Sequence, residues 1–171
     1  MSQQQEKTPR ATAPSQAPRS TPSLLTPHDL YLFNEGTHSR LYQKLGSHLT
    51  THDGVAGASF AVWAPNAERV GVIGDFNGWR PNTHPLKARD SSGVWEGFIP
   101  GVGSGACYKY HIVSRYHGYR VDKADPFAFR SETPPRTGSI VSSLDFAWND
   151  HDWLATRRRA PRRRNACRRR R

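Results

Sequence analysis

The feature that most limits the folds open to this chain is a run of side chains that alternates with a period of two. Phe60 and Val62 point to one side of an extended segment, while Ala61 and Trp63 point to the other. A Pro-Asn pair ends this segment, and the alternation returns at 70–72. Apolar side chains at every second residue are typical of a β-strand with one buried face. The pattern therefore predicts two consecutive strands joined by a short turn.

Further short strands are predicted at 94–99, 107–113 and 140–141. A glycine-rich loop separates the first two, and no helical spacer lies between them. Within the second of these strands, alternation places Tyr108 on the apolar face and Lys109 on the outward face. Several short strands separated by turn signals indicate an all-β fold, namely an antiparallel β-sandwich.

The residues that precede the strands, 24–50, are predicted to form a short helical segment. Thr26 is a favourable N-cap residue, Pro27 suits the first helical position, and Asp29 stands where a capping box has its acid. A second helical turn is expected to follow, and Gly46 is placed to end it in a left-handed conformation.

The two ends of the chain differ in composition from its centre. Residues 1–23 are rich in Gln, Pro, Ser and Thr and lack the apolar stretch of a signal peptide, so we expect a disordered leader. Ten of the 25 basic residues are arginines within 157–171, which we expect to be a disordered tail. The other 15 basic residues nearly balance the 14 acidic residues, so the remainder of the chain is close to neutral.

Three interpretations of the arginine-rich tail are open. It could bind RNA, DNA or another anionic surface through charge pairing that weakens with salt. It could also be a solvated end without a partner. The interpretation that we favour is an out-of-frame or truncated end of a longer gene. Nucleic acid is therefore an expected partner only if the tail is genuine.

The cysteine and histidine content gives no sign of a metal site. Cys107 and Cys167 show neither a disulfide framework nor the spacing of metal ligands, and the eight histidines show no paired metal spacing. We therefore expect no metal and no cofactor. No apolar run is long enough to span a bilayer, so we expect no membrane partner. A reducing, cytoplasmic compartment is the simplest expectation.

Three blocks of sequence carry recognisable motifs. The first has Asp-Leu-Tyr-Leu-Phe-Asn-Glu-Gly-Thr-His at 29–38 and Leu-Tyr-Gln-Lys-Leu-Gly at 41–46. The second, 60–79, has Phe-Ala-Val-Trp-Ala-Pro-Asn-Ala and Gly-Asp-Phe-Asn-Gly-Trp, and the third has Tyr-Lys-Tyr at 108–110 and Lys-Ala-Asp-Pro-Phe-Ala-Phe at 123–129. These blocks resemble carbohydrate-binding module family 48, above all the N-terminal part of bacterial 1,4-α-glucan branching enzymes. The resemblance implies an immunoglobulin-like sandwich over 51–145, followed by a linker over 146–156 toward a catalytic barrel that this chain lacks. It also implies two partners, an α-1,4-glucan such as glycogen or a maltooligosaccharide, and that barrel.

The resemblance also assigns glucan contacts to particular residues. It implies that Trp79 stacks on glucose and that Lys109 donates a hydrogen bond to the sugar. A glucan offers apolar C–H faces and a rim of hydroxyls, and an indole ring with its polar N–H suits both. The alternatives are a ring folded back over the sheet edge for Trp79 and a solvated side chain for Lys109.

Two further residues complete the candidate site. Asn77 could contribute a polar contact, although the alternative is turn formation, because Asn hydrogen-bonds its own backbone. The region that follows the Tyr-Lys-Tyr strand offers only Tyr116 and Tyr119 as a second aromatic surface, and Tyr119 is the fourth candidate.

The other tryptophans are assigned to packing. Trp63 and Trp95 lie within predicted strands, where we expect core or sheet-face packing. Trp148 and Trp153 follow the sandwich, and we expect them to form a seam against a domain absent from this chain. Without that domain the two rings would leave an exposed apolar patch.

No catalytic residue is predicted. A (β/α)8 barrel typically needs about 250 residues, and glucan transfer with retention needs two closely spaced carboxyl groups. Asp75, Asp122 and Asp125 lie in turn contexts, where Asp is an ordinary local hydrogen-bonding residue. The expected function is non-catalytic α-glucan binding in glycogen biosynthesis. The alternative is a small basic regulatory or nucleic-acid-associated protein that acts through its tail.

Overall fold

The computed structural model describes residues 23–145 and 147–159, and this part of the chain contains nine strands and two α-helices. In chain order these are α1 (Pro27–Asn34), β1 (Gly46–His52), β2 (Val55–Trp63), β3 (Ala67–Gly74), β4 (Lys87–Arg89), β5 (Val94–Pro100), β6 (Cys107–Ser114), β7 (Arg120–Lys123), β8 (Arg130–Ser131), β9 (Ser139–Ile140) and α2 (His151–Arg159). Two 3₁₀ turns, Leu41–Gln43 and Asp75–Asn77, lie between them.

The strands form two antiparallel sheets. Sheet A has the order β1-β2-β5-β4, and sheet B has the order β3-β6-β9-β8, with β7 also paired to β6. Each pairing is antiparallel. This architecture confirms the predicted antiparallel β-sandwich.

The main core lies between the sheets and contains the side chains that alternation assigned to it. Phe60 and Val62 from β2 are buried there with Tyr108 and Tyr110 from β6. The rings of Phe60 and Tyr108 meet edge to face with centroids 5.0 Å apart, and Phe60 also meets Phe76 at 6.2 Å. Burial of each such side chain contributes on the order of 1.5–3 kcal/mol, so this aromatic cluster holds the two sheets together.

The opposite face of sheet A packs against the N-terminal segment. Leu25 and Leu45 form a second buried cluster with Ala61 and Val94. Trp63 lies on this face and is 55% exposed, with its ring meeting the edge of the Phe33 ring at 6.0 Å. It is therefore a sheet-face residue rather than a core residue.

Helix α1 begins as predicted. The Thr26 side chain accepts a hydrogen bond from the Asp29 amide, and the Asp29 carboxylate accepts one from the Thr26 amide, which completes a capping box. Burial alone would raise the pKa of Asp29, but hydrogen bonds from Thr26, His38 and Lys44 lower it well below its usual value. The carboxylate therefore joins the helix start to the turn that follows.

The helical segment expected over 24–50 is shorter than predicted. Its second turn is the single 3₁₀ turn Leu41–Gln43. Gly46 has the positive φ that was predicted, 97°, but it begins strand β1 instead of ending a helix. The reason is that β1 pairs along its whole length with β2, from Gly46 opposite Ala61 to His52 opposite Val55. Backbone hydrogen bonding to a neighbouring strand, rather than an apolar pattern of its own, fixes this segment.

The ends of the described chain also depart from expectation. Ser23, placed in the leader, donates a hydrogen bond to the Glu96 carboxylate at 2.7 Å, so it is tied to sheet A. The expected linker over 146–156 contains most of helix α2. The rest of the predicted leader, 1–22, and the tail beyond Arg159 lie outside the described residues.

Asp125 lies in a turn and accepts a local hydrogen bond, as predicted, but it is also buried and has distant partners that were not predicted. It is 7% exposed, and its carboxylate accepts hydrogen bonds from the hydroxyls of Tyr108 and Tyr110 and from the Phe127 amide. Its own amide donates to the Ser139 hydroxyl at 2.8 Å. Burial raises the pKa of Asp125. The residue therefore anchors the segment after β7 to the centre of sheet B.

Candidate functional site

The loop that follows β3 holds Trp79 in an unusual backbone conformation. After the 3₁₀ turn Asp75–Asn77, Gly78 and Trp79 are both left-handed, with φ of 61° and 60°. This conformation suits glycine but costs a residue with a side chain about 1–2 kcal/mol. A hydrogen bond from the Trp79 amide to the Gly74 carbonyl, at 3.0 Å, closes the loop. Strain that the surrounding structure maintains is often found where a side chain must be displayed for function.

Asp75 fixes the orientation of the Trp79 ring. One carboxylate oxygen accepts the indole N–H at 3.1 Å, and the other accepts the Cys107 amide at 3.2 Å. The ring is 39% exposed, so it is not buried in the interior. The indole N–H was expected to be a polar group for the ligand, but in this structure it donates to Asp75. A ligand would therefore meet the face of the ring. Asp75 itself was missed as a site residue, although its position four residues before Trp79 in a turn was visible in the sequence.

Gly74 allows the loop to sit against the edge of β6. A Cβ atom at this position would lie 2.3 Å from the Cys107 carbonyl oxygen and 2.8 Å from the Phe76 ring. Only glycine permits this approach, and the approach brings the Asp75 carboxylate within reach of the Cys107 amide.

Asn77 has a structural position rather than the polar ligand contact that was considered. Its side-chain oxygen accepts the Gly74 amide at 2.9 Å, and its NH₂ group donates to the Val72 carbonyl at 2.9 Å and contacts His84 Nδ1 at 3.0 Å. The alternative of turn formation describes it better, because both of its N–H groups are used inside the loop.

His84 supports this network and was missed in the sequence analysis. The two backbone groups fix the orientation of the Asn77 amide, so its NH₂ faces His84 and the Nδ1 atom of His84 must accept. The imidazole is then neutral, with its proton on Nε2. Burial lowers the pKa of His84, which favours the same neutral form.

Lys109 lies at the same end of sheet B as Trp79. It is opposite Ile73 in the pairing of β3 with β6, one position from the pair formed by Gly74 and Tyr108. The side chain is partly buried, and its ammonium group donates to the Thr137 hydroxyl at 2.8 Å. Because an ammonium group has three N–H donors, two can still serve a ligand.

Tyr119 is not brought to this site. It is 63% exposed, and its carbonyl accepts the amide of Ser114 at the far end of β6. Lys109 and Ser114 are separated by about 17 Å along the strand, at roughly 3.4 Å per residue. The four candidates therefore divide into Trp79 and Lys109 at one end of sheet B, Asn77 beneath the loop, and Tyr119 at the other end.

Comparison with known proteins places these residues in a family. The sequence model of carbohydrate-binding module 48 (isoamylase N-terminal domain) matches residues 44–128, which include the Trp79 loop and Lys109. This chain carries a family 48 carbohydrate-binding module.

Its relatives are branching enzymes that are much longer than this chain. It is 53% identical over 133 residues to the 1,4-alpha-glucan branching enzyme GlgB 1 of Streptomyces coelicolor, a match that covers 78% of this chain and 17% of that protein. It is 50% identical over 135 residues to the branching enzyme GlgB of Synechocystis, with the same two coverages. Among solved structures, the pullulanase of Klebsiella pneumoniae complexed with maltotriose has a TM-score of 0.48 and 25% identity over 59% of this chain and 10% of that one.

The family 48 module in this structure continues beyond the matched residues. Strand β9, Ser139–Ile140, pairs with Cys107 and Tyr108 at the start of β6, and Ser139 bonds to Asp125. Thr137, the partner of Lys109, also lies in this continuation. The segment after residue 128 therefore completes sheet B beside the candidate site.

The other chemistry-bearing groups of the module do not form a metal or membrane site in the part that the structure describes. Within residues 23–145 and 147–159, no three His, Cys, Asp or Glu side chains are arranged to hold a metal ion. Asp122 pairs with His111 at 2.7 Å. Burial, with smaller contributions from Glu132 and Asp75, raises the pKa of the Cys107 thiol. Neither described helix is long and apolar enough to cross a bilayer.

Proposed function

We propose that this chain binds α-1,4-glucans such as glycogen, with the face of Trp79 stacking on a glucose ring and Lys109 donating hydrogen bonds to its hydroxyls. The observation that carries the proposal is the exposed indole, which a strained left-handed backbone and a bond to Asp75 hold in one orientation. The names of the relatives, 1,4-alpha-glucan branching enzymes, support glucan as the ligand class.

The physical chemistry of the surface fits an uncharged polysaccharide. An aromatic ring offers a rigid, flat, apolar area to the C–H faces of a sugar. The ring is fixed before binding, so little side-chain entropy is lost when a ligand docks. Lys109 supplies donors beside it, and the near balance of charge outside the arginine-rich tail leaves no strong field that would favour a polyanion.

We infer that binding serves to hold glucan chains for a catalytic domain of the same longer enzyme, which would be the second partner of the module. This chain spans 17% of the length of the two relatives compared above. The branching reaction with retention requires a pair of carboxyl groups about 5–5.5 Å apart. The nearest carboxylate to the Trp79 ring, Asp75, is already committed to the indole N–H and a backbone amide. We therefore expect glucan binding without turnover.

Affinity electrophoresis in gels that contain glycogen tests the proposal. Trp79→Ala is expected to weaken retention about tenfold, because one aromatic stacking surface is removed. Trp63→Ala is the matched control, since it removes an exposed tryptophan from sheet A and should leave retention unchanged. Equal retention of the wild type and Trp79→Ala would refute the assignment of the site. Deletion of 157–171 should not affect retention, whereas loss of salt-sensitive DNA binding on that deletion would favour the nucleic-acid alternative.

A further inference from the structure

A groove with a volume of about 330 Å³ lies away from the Trp79 loop, between the Leu41–Gln43 turn, the start of β1 and the chain that follows β9. None of the four candidate residues named above lines it. Its walls are formed by Tyr42, Gln43, His48, Leu49, Phe129 and residues 142–145. Its volume lies within the range of about 300–1,000 Å³ that is typical of small-ligand sites.

The floor of the groove is held in place by internal contacts. The rings of His48 and Phe129 meet edge to face with centroids 5.6 Å apart. His48 Nε2 lies 3.0 Å from the Leu45 carbonyl, which can only accept, so Nε2 carries the proton. The ring contact and the hydrogen bond together hold the imidazole in one orientation, and the floor is therefore preformed.

The rim of the groove exposes three large apolar side chains. Tyr42 is 45% exposed, and Leu49 and Leu144 are exposed beside it. The hydrogen bond from the Gln43 amide nitrogen to the Tyr42 hydroxyl is long, at 3.5 Å, so it holds this ring weakly. An exposed aromatic ring at the mouth of a concave site is the kind of surface on which a sugar ring stacks.

Polar groups in the lining supply the second half of sugar recognition. The Asp145 carboxylate accepts a hydrogen bond from the Ser143 hydroxyl at 2.6 Å, and the same hydroxyl accepts the Asp145 amide at 2.9 Å. This turn fixes the carboxylate but uses only one of about four acceptor positions on its two oxygens. The remaining positions, with the Gln43 amide in the same lining, can bind hydroxyl groups.

We propose that this groove is a second α-glucan subsite, in which Tyr42 stacks on a glucose ring and Asp145 accepts hydrogen bonds from its hydroxyls. The inference rests on the proposed function, because it takes the same ligand class. A glucan is favoured over a purely apolar ligand because a carboxylate, an amide and two serines share the lining with the aromatic and aliphatic side chains. Two separated subsites would let one module hold two chains of a branched polysaccharide, or two parts of one chain.

The test combines substitutions at both sites and uses maltotriose and glycogen as probes. Tyr42→Ala is expected to lower glycogen retention about fivefold in the Trp79→Ala background, and Asp145→Asn to lower it in the same direction. Tyr31→Ala is the matched control, because Tyr31 is also an exposed tyrosine but lies on α1 outside the groove. Thermal melting of each variant checks that it is folded. Titration of the ¹⁵N-labelled chain with maltotriose should shift the amide signals of Tyr42 and Asp145 independently of Trp79.

The outcomes separate the two proposals. Glycogen retention that is lost with Trp79→Ala alone, with no maltotriose shifts at the groove, would overturn the second subsite and leave the proposed function intact. Retention that depends on Tyr42 but not on Trp79 would support the groove and overturn the assignment of Trp79. If Tyr42→Ala changes sedimentation but not glucan binding, the groove is a protein contact surface and the inference is wrong.

Discussion

The buried contact between Asp125 and two tyrosines gives the sharpest prediction about stability. In Asp125→Ala, the hydroxyl of Tyr108, which is fully buried, loses its carboxylate acceptor. The Phe127 amide loses its partner at 2.8 Å, and Tyr110 keeps only a long contact of 3.4 Å to the Ala61 carbonyl.

The magnitude follows from the two donors that lose their acceptor, the Tyr108 hydroxyl and the Phe127 amide. A buried donor left without a partner costs about 1–3 kcal/mol, so loss of the Tyr108 and Phe127 bonds amounts to about 4 kcal/mol. Removal of a buried carboxylate recovers part of this, because burial disfavours its charged form, as its raised pKa indicates. We therefore expect the free energy of unfolding to fall by about 3 kcal/mol. Urea denaturation followed by tryptophan fluorescence measures it.

A double-mutant cycle isolates the contact. Tyr108→Phe alone should destabilise the chain by about 1–2 kcal/mol, and the double substitution should cost less than the sum of the two single ones by at least about 1 kcal/mol. The raised pKa of Asp125 also predicts the direction of the pH dependence. The folded state binds the extra proton first, so the wild type gains stability relative to Asp125→Ala as pH falls from the raised pKa toward 3.8. Additive single effects, or a difference that shrinks on acidification, would refute the reasoning.

Three other predictions concern the Trp79 loop and the two tryptophans near the C-terminal end of the described chain. Protonation of His84 would remove the acceptor beneath the Trp79 loop. Because the pKa of His84 in the folded chain is lowered from 6.5, the unfolded loop binds the proton first, and the folded loop loses stability as the pH falls below 6.5. Glycogen retention should weaken over the same pH range, and in His84→Phe this dependence should be absent. Gly74→Ala should lower the free energy of unfolding measured by urea denaturation by about 1–3 kcal/mol, because its Cβ would clash with the backbone of β6. Gly103→Ala is the control, because the space around Gly103 is open. Trp148 and Trp153 are exposed, so the chain should self-associate in sedimentation experiments, and a clean monomer at high concentration would contradict this.

The parts of the fold that the sequence predicted well are those governed by neighbours a few residues away. Alternation placed Phe60 and Tyr108 in the core because every second residue of a strand shares a face. The Thr26 and Asp29 capping box was predicted because its two hydrogen bonds join residues three apart.

The parts that were missed depend on distant partners or on weak local signals. Strand β1 is an edge strand rich in Thr and His, and its pairing with β2 decides its conformation. The turn at Asp125 was predicted from its local context, whereas its tyrosine partners lie in β6, and strand β7 stands between β6 and Asp125 in the sequence. No short window of sequence contains both halves of that contact.

The Trp79 loop shows which features of a candidate site a motif can predict and which it cannot. The motif placed an aromatic ring in an exposed loop, and the structure holds it there with a bond from the Trp79 amide, a bond from its indole N–H and the Asn77 network below. Each of these bonds contributes about 1 kcal/mol, which offsets a left-handed tryptophan that costs about 1–2 kcal/mol. A ring that served only to cover the sheet edge would not need this conformation, since an ordinary loop could bury it more fully. The same bonds that fix the ring also occupy its N–H and both amide hydrogens of Asn77, so under the proposed function the ring face and the free donors of Lys109 are the groups left to meet a ligand.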